Sequence, residues 1–99
     1  MAYNVKVTAS AEKDLDDIVG YIVRELCNPQ AAAHFLDEIT DTYRVLADTP
    51  FGFPACSQPL LRKYRKITVM RYVILYRIDE NTVFVERIFS QLEDYAHKL

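Results

Sequence analysis

Two apolar stripes of helical period fill the first half of this chain, separated only by Asn28-Pro29, and strand-forming runs fill its last third. Leu15, Ile18, Val19, Ile22 and Leu26 recur at spacings of three and four, which puts them on one face of a helix. Thr8 or Ser10 can cap that helix, Glu12, Asp14, Asp16 and Asp17 suit its positive end, and it should stop near Cys27. Asn28 then offers a second N-cap with Pro29 at the first helical position. Ala32, Phe35, Leu36, Ile39, Tyr43 and Leu46 make the second stripe, ending near Asp48. So short a connection predicts an antiparallel helical hairpin.

Strands bracket the hairpin. Tyr3 to Val7 alternates with Tyr3, Val5 and Val7 on one face, which predicts a short half-buried strand. Thr49 to Pro59 holds three prolines and Gly52, and reads as an ordered loop anchored by Phe51 or Phe53. Tyr64 to Val69, Tyr72 to Ile78 and Thr82 to Phe89 are three further strands, joined by connections short enough to make them antiparallel neighbours. The nearly continuous apolar run of Tyr72 to Ile78 suits a central strand. Ser90 to Leu99 is polar, with Leu92, Tyr95 and Ala96 at helical spacing, and predicts a short C-terminal helix. The order β-α-α-β-β-β implies one α+β domain over residues 1–99, a helical hairpin packed on an antiparallel sheet.

Charge is distributed unevenly. Residues 62 to 77 carry six basic side chains and no acid, whereas residues 1 to 48 carry nine acids against four bases. The net charge of −2 therefore conceals a polarised molecule. A pI of about 5.6 and the lack of a recognition-helix pattern argue against an autonomous DNA-binding module. Cys27, Cys56, His34 and His97 fit no metal-ligand spacing, and no cofactor motif is present, so neither metal nor cofactor is expected. The opening residues Met-Ala-Tyr-Asn-Val-Lys have no signal-peptide apolar stretch, and no run approaches a membrane span. A cytoplasmic location is the expectation.

The chain resembles the RelE/ParE superfamily of toxins from bacterial type II toxin–antitoxin modules over almost its whole length. The resemblance rests on Ala11-x-x-Asp14-Leu15-x-x-Ile18-x-x-Tyr21, Asn28-Pro29-x-Ala31-Ala32-x-x-Phe35-Leu36 and Leu46-x-x-x-Pro50. It continues through Tyr64-Arg65-Lys66-Ile67-x-Val69, Tyr72-x-Ile74-x-Tyr76-Arg77-Ile78 and Val85-x-Arg87-Ile88-Phe89. The long hairpin and the pattern on helix one look more like the ParE branch. ParE-like members inhibit DNA gyrase, and RelE-like members cleave mRNA in the ribosomal A site.

Metal-free RNA cleavage needs a base, an acid and cations for the phosphorane charge. By resemblance, Arg65, Lys66, Arg71 and Tyr95 could supply part of that set. Thr68 and Val73 stand where the RelE pattern wants cations, and Ser90-Gln91-Leu92-Glu93-Asp94 follows where it has a histidine and arginines. The resemblance therefore implies a ParE-like inhibitor that binds a protein, with gyrase as target. Its alternatives are a RelE-like endonuclease and a non-toxic member kept for antitoxin binding. It further implies that Arg65, Lys66, Arg71, Arg77 and Arg87 meet an acidic antitoxin tail, clustered arginines being suited to carboxylates. Gln91, Tyr95, His97 and Lys98 would contact the target, and DNA would be reached only through the antitoxin. From the residues alone, the basic side chains also read as a solvated strand edge, and Arg77 and Arg87 as partners of Glu86 or of a helix acid.

Overall fold

The computed structural model describes residues 2–56 and 63–91. β1 (Asn4–Val7) leads into α1 (Ala9–Arg24), α2 (Pro29–Asp48) and a single 3-10 turn at Pro50–Gly52. β2 (Arg65–Val69), β3 (Tyr72–Asp79) and β4 (Thr82–Ser90) complete the order β-α-α-β-β-β. The expected C-terminal helix lies outside the described residues, as does the end of the proline-rich loop.

Both helices begin at their predicted caps. The Thr8 side chain accepts from the Ala11 N–H at 3.1 Å, and the Asn28 carbonyl oxygen accepts from the Ala31 N–H at 3.1 Å. Pro29 occupies the start of α2, where its missing N–H costs nothing. The hairpin turns through Cys27, which sits in the left-handed region at φ 51°. Leu26 is the one member of the first stripe beyond the helix end, and it stays exposed.

The sheet order is β1-β4-β3-β2, so β3 is central, as its apolar run predicts. β2, β3 and β4 form the expected antiparallel meander. β1 instead lies parallel to β4, from Asn4 opposite Thr82 to Val7 opposite Val85, which makes the sheet mixed. The hairpin α1–α2 brings the chain back so that β1 and β4 run the same way, a relation that short-connection arguments do not reach.

The hairpin covers one face of the sheet. Phe35, Ile39 and Leu46 of α2 and Ile22 of α1 meet Ile74, Tyr76, Val83, Val85 and Ile88 in the main core. The Phe35 and Tyr72 rings lie 4.9 Å apart. Of the two candidate loop anchors, Phe53 packs against this core, while Phe51 is exposed with its edge against Tyr3. Pro50 is the buried loop residue, and its carbonyl accepts from the Tyr76 hydroxyl at 2.6 Å.

The distal face of the sheet carries a second, smaller cluster: Cys56, Tyr64, Val73, Leu75 and Phe89. Neither α1 nor α2 covers it.

Candidate functional site

β3 alternates Ile74 and Tyr76 into the main core with Val73 and Leu75 onto the distal face, and so aims Arg77 distally as well. Register then places Lys66 of β2 and Arg87 of β4 on either side of Leu75. Leu75 is fully buried between them, packed with Cys56, Tyr64, Val73 and Phe89. Thr68 and Phe89 flank Val73 in the next row.

A β-bulge reshapes this face. Tyr76 opposes Val85 and Leu75 opposes Arg87, so Glu86 is an extra residue in β4. The bulge lets Glu86 join Arg87 on the distal side instead of alternating away from it. Glu86 Oε1 accepts from Arg77 Nε at 3.1 Å. The Arg77 guanidinium lies 4.2 Å from the centroid of Phe84, its cross-strand neighbour, and Asp79 approaches it at 3.8 Å.

Arg87 is held at the other end. β1 stops covering β4 at Val85, where the Thr8 N–H donates to the Val85 carbonyl. Past that point α1 takes over. Arg87 donates to both carboxylate oxygens of Asp14, at 2.7 and 3.0 Å, and the Ile88 N–H donates to the same carboxylate at 3.0 Å. This fork joins residues 73 positions apart and closes the strand edge that β1 leaves. Arg87 also lies 4.7 Å from the Phe89 ring. Lys13, Asp14 and Asp17 of α1 face Arg87 and Phe89 across a groove of about 430 Å³.

The predicted antitoxin set is therefore not one patch. Lys66, Arg77 and Arg87 share the distal face, the last two already paired with carboxylates. Arg65 lies opposite Tyr76 and so emerges toward the helix side. Its guanidinium donates to the Phe53 carbonyl at 2.5 Å and stacks over Phe51. Arg71 is in the exposed β2–β3 turn, where its carbonyl accepts from the Gln91 N–H at 2.9 Å.

The possible ribonuclease set is equally dispersed. Arg65 and Lys66 point to opposite faces, and Arg71 lies beyond Val69, roughly 13 Å along β2 from Arg65 at about 3.3 Å per residue. Tyr95, like His97 and Lys98 of the proposed target contact, lies outside the described residues; Gln91 is exposed at the end of β4. Tyr64 and Tyr76 are buried and Tyr72 is half-buried, so all three act as core residues. Among the described residues no group of three His, Cys, Asp or Glu side chains is arranged to hold a metal ion, and no helix is long and apolar enough to cross a membrane.

Burial shifts several groups without creating a reactive one. It pushes the Cys56 thiol up against a smaller opposing effect of Lys66, which disfavours the thiolate. Burial raises Tyr76 to about 12, with Arg65 opposing it. The pairing of Arg77 with Glu86 and of Arg87 with a helix acid is as the residues predict, whereas the bulge at Glu86 escaped, since strand alternation carries no signal of an inserted residue.

The comparisons with known proteins agree with this architecture. A family described as "ParE toxin of type II toxin-antitoxin system, parDE" matches residues 5–95. A solved structure of a chromosomal ParDE system from P. aeruginosa is 22% identical, with a TM-score of 0.74 over 90% of this chain and 96% of that one. The RelBE2 toxin–antitoxin complex from Mycobacterium tuberculosis is 20% identical, with a TM-score of 0.63 over 91% and 99%. A conserved hypothetical protein from Helicobacter pylori is 15% identical, with a TM-score of 0.59 over 92% and 97%. No curated protein sequence matches significantly. At such identities the structures speak to the fold, whereas the family match spans nearly the whole sequence. The chain belongs to the ParE toxin family of type II toxin–antitoxin systems.

Proposed function

We propose that this chain is a toxin that acts in the cytoplasm by binding and inhibiting DNA gyrase, and that a cognate antitoxin with an acidic C-terminal segment neutralises it. One observation carries the reading: two of the three described cations on the distal face are committed within the fold. Arg77 is held by Glu86 and Arg87 by Asp14, while Arg65 is turned to the other side of the sheet. A cation already neutralised by its own carboxylate has little charge left for a phosphorane. Lys66, beside these pairs on the same face, remains for a carboxylate on a partner peptide.

In this reading Lys66, Arg77 and Arg87 meet the antitoxin on the distal face, Arg65 and Arg71 meet it at the sheet margins, and DNA is reached only through the antitoxin. Gln91, Tyr95, His97 and Lys98 contact the target. The chain acts as a stoichiometric inhibitor, without cofactor or metal.

Induction of the chain in a bacterial host tests the target. Plasmid supercoiling should fall and linear DNA accumulate, and co-expression of the gene product encoded beside it should reverse both. Cleaved mRNA with normal supercoiling would point to the ribosome instead. Unimpaired growth would leave a member that binds antitoxin without toxicity.

A further inference from the structure

Phe51 is the most exposed large apolar side chain among the described residues, at 59%. Pro50 and Phe53 anchor its loop in the core, so Phe51 is not needed to fix the chain there. Its ring is nonetheless held from two sides. Tyr3, which leads into β1 at one edge of the sheet, meets it edge-on with ring centroids 6.2 Å apart. Arg65, which opens β2 at the opposite edge, places its guanidinium 5.1 Å from the ring centroid. Aromatic rings and arginines fixed before contact are the residue types that carry protein interfaces.

The charges beside this ring point to the partner. Arg65 is held by neutral groups, the Phe53 carbonyl and the Phe51 ring, and among the described residues no carboxylate pairs with it. Asp48 lies toward the other side of Phe51, where it lines a cleft with Tyr3, and it too has no ion pair among the described residues. It is the last residue of α2, at the negative end of the helix dipole, and the last turn holds no base to offset it. A cation and an anion, each without a counter-charge, thus flank one exposed ring. Such a surface is self-complementary. A two-fold axis at Phe51 sets Arg65 of each copy against Asp48 of the other and packs the two Phe51 rings together.

We propose that this chain associates with a second copy of itself through Phe51 and Tyr3, with reciprocal Arg65–Asp48 pairs. Arg65 cannot meet an antitoxin carboxylate and Asp48 of a second copy at once, so self-association and antitoxin contact compete at that residue. The proposal stands independently of the target reading.

The experiment is sedimentation equilibrium of the full chain. The patch is small, so the wild-type dimer should have a Kd of about 1–100 μM. Phe51→Ala should weaken it roughly tenfold. Arg65→Glu and Asp48→Lys should each stay monomeric up to about 200 μM, because each variant sets like charges together at both contacts. Mixed in equal amounts, the two variants should associate within about threefold of the wild-type Kd, because the mixed dimer restores opposite charges at both contacts. Leu26→Asp alters an exposed apolar residue at the far end of the hairpin and should leave the dimer unchanged. Thermal melts show which variants are folded. If Arg65→Glu is not, Phe51→Ala and Asp48→Lys still decide, since both alter exposed side chains.

A wild-type chain that stays monomeric up to about 200 μM would overturn the proposal. So would a dimer insensitive to Phe51→Ala or Asp48→Lys, a mixture of folded variants no tighter than either alone, or a dimer broken by Leu26→Asp. The gyrase reading is scored separately, by plasmid supercoiling.

Discussion

The two faces of β3 bury adjacent residues by different means. On the helix side, Ile74 and Tyr76 are closed over by two helices whose apolar stripes fit them. On the distal side, Leu75 is as fully buried as Ile74, yet its register neighbours are Lys66 and Arg87. One face is sealed by two helices; on the other, Leu75 packs with Cys56, Tyr64, Val73 and Phe89 and is flanked in register by Lys66 and the Asp14-paired Arg87.

Truncation of the two neighbours should have the largest effect. Ile74→Ala should cost about 4 kcal/mol, because the helices cannot follow the lost volume. Leu75→Ala should cost only about 2–3 kcal/mol, because lysine and arginine stems can settle into the space. Denaturant unfolding measures both, and equal costs would mean that the distal cover is as rigid as the core.

Next in size is the fork that pins the distal cover to α1. Asp14→Ala leaves the Arg87 guanidinium and the Ile88 N–H without their carboxylate, in a pair whose side chains are only 14% and 23% exposed. A loss of about 2–3 kcal/mol should follow. For a domain of this size that lowers Tm by more than about 10 °C. A change under about 2 °C would show that the edge of β4 does not depend on α1.

A smaller effect separates the faces by pH. The Tyr43 hydroxyl is buried with no hydrogen-bond partner among the described residues, and burial, then Glu12, raises it from 10.0 to about 12. Tyr76 rises to the same value, mainly by burial. Each phenol thus ionises earlier in the unfolded chain than in the folded one. Their contribution to stability is complete below about pH 10 and is lost as pH climbs to about 12. Tyr43→Phe should leave stability at pH 7 undiminished and flatten the loss between pH 10 and 12. An unchanged alkaline slope in thermal scans would place Tyr43 in water.

The smallest expected effect is at Lys13. It pairs with Asp17 at 2.8 Å with side chains 76% and 65% exposed, one turn from the Asp14 fork. Lys13→Ala should leave Tm unchanged within error, because an exposed pair is screened by solvent and salt.

Much of the scaffold could be read from particular residues. Thr8 and Asn28-Pro29 mark helix starts because a cap needs only local chemistry, and the apolar run Tyr72 to Ile78 marks the centre of the sheet. What stayed hidden depends on distance or on single-residue register. Parallel β1 follows from how the whole hairpin returns, the choice of Asp14 among the helix acids for Arg87 depends on a contact 73 positions apart, and the Glu86 bulge reverses the face of one side chain. Arg65 and Lys66, adjacent in a basic run, separate to opposite faces for the same reason. A cluster in sequence is therefore not a cluster in space on a strand.

The central claim, that this basic sheet docks a protein and does not cut RNA, is tested most directly in a reconstituted translation reaction containing purified ribosomes, a defined mRNA and this chain. The mRNA should stay full-length at toxin concentrations that abolish supercoiling by purified gyrase. Cleavage of the mRNA within the ribosomal A site, with gyrase unaffected, would contradict it.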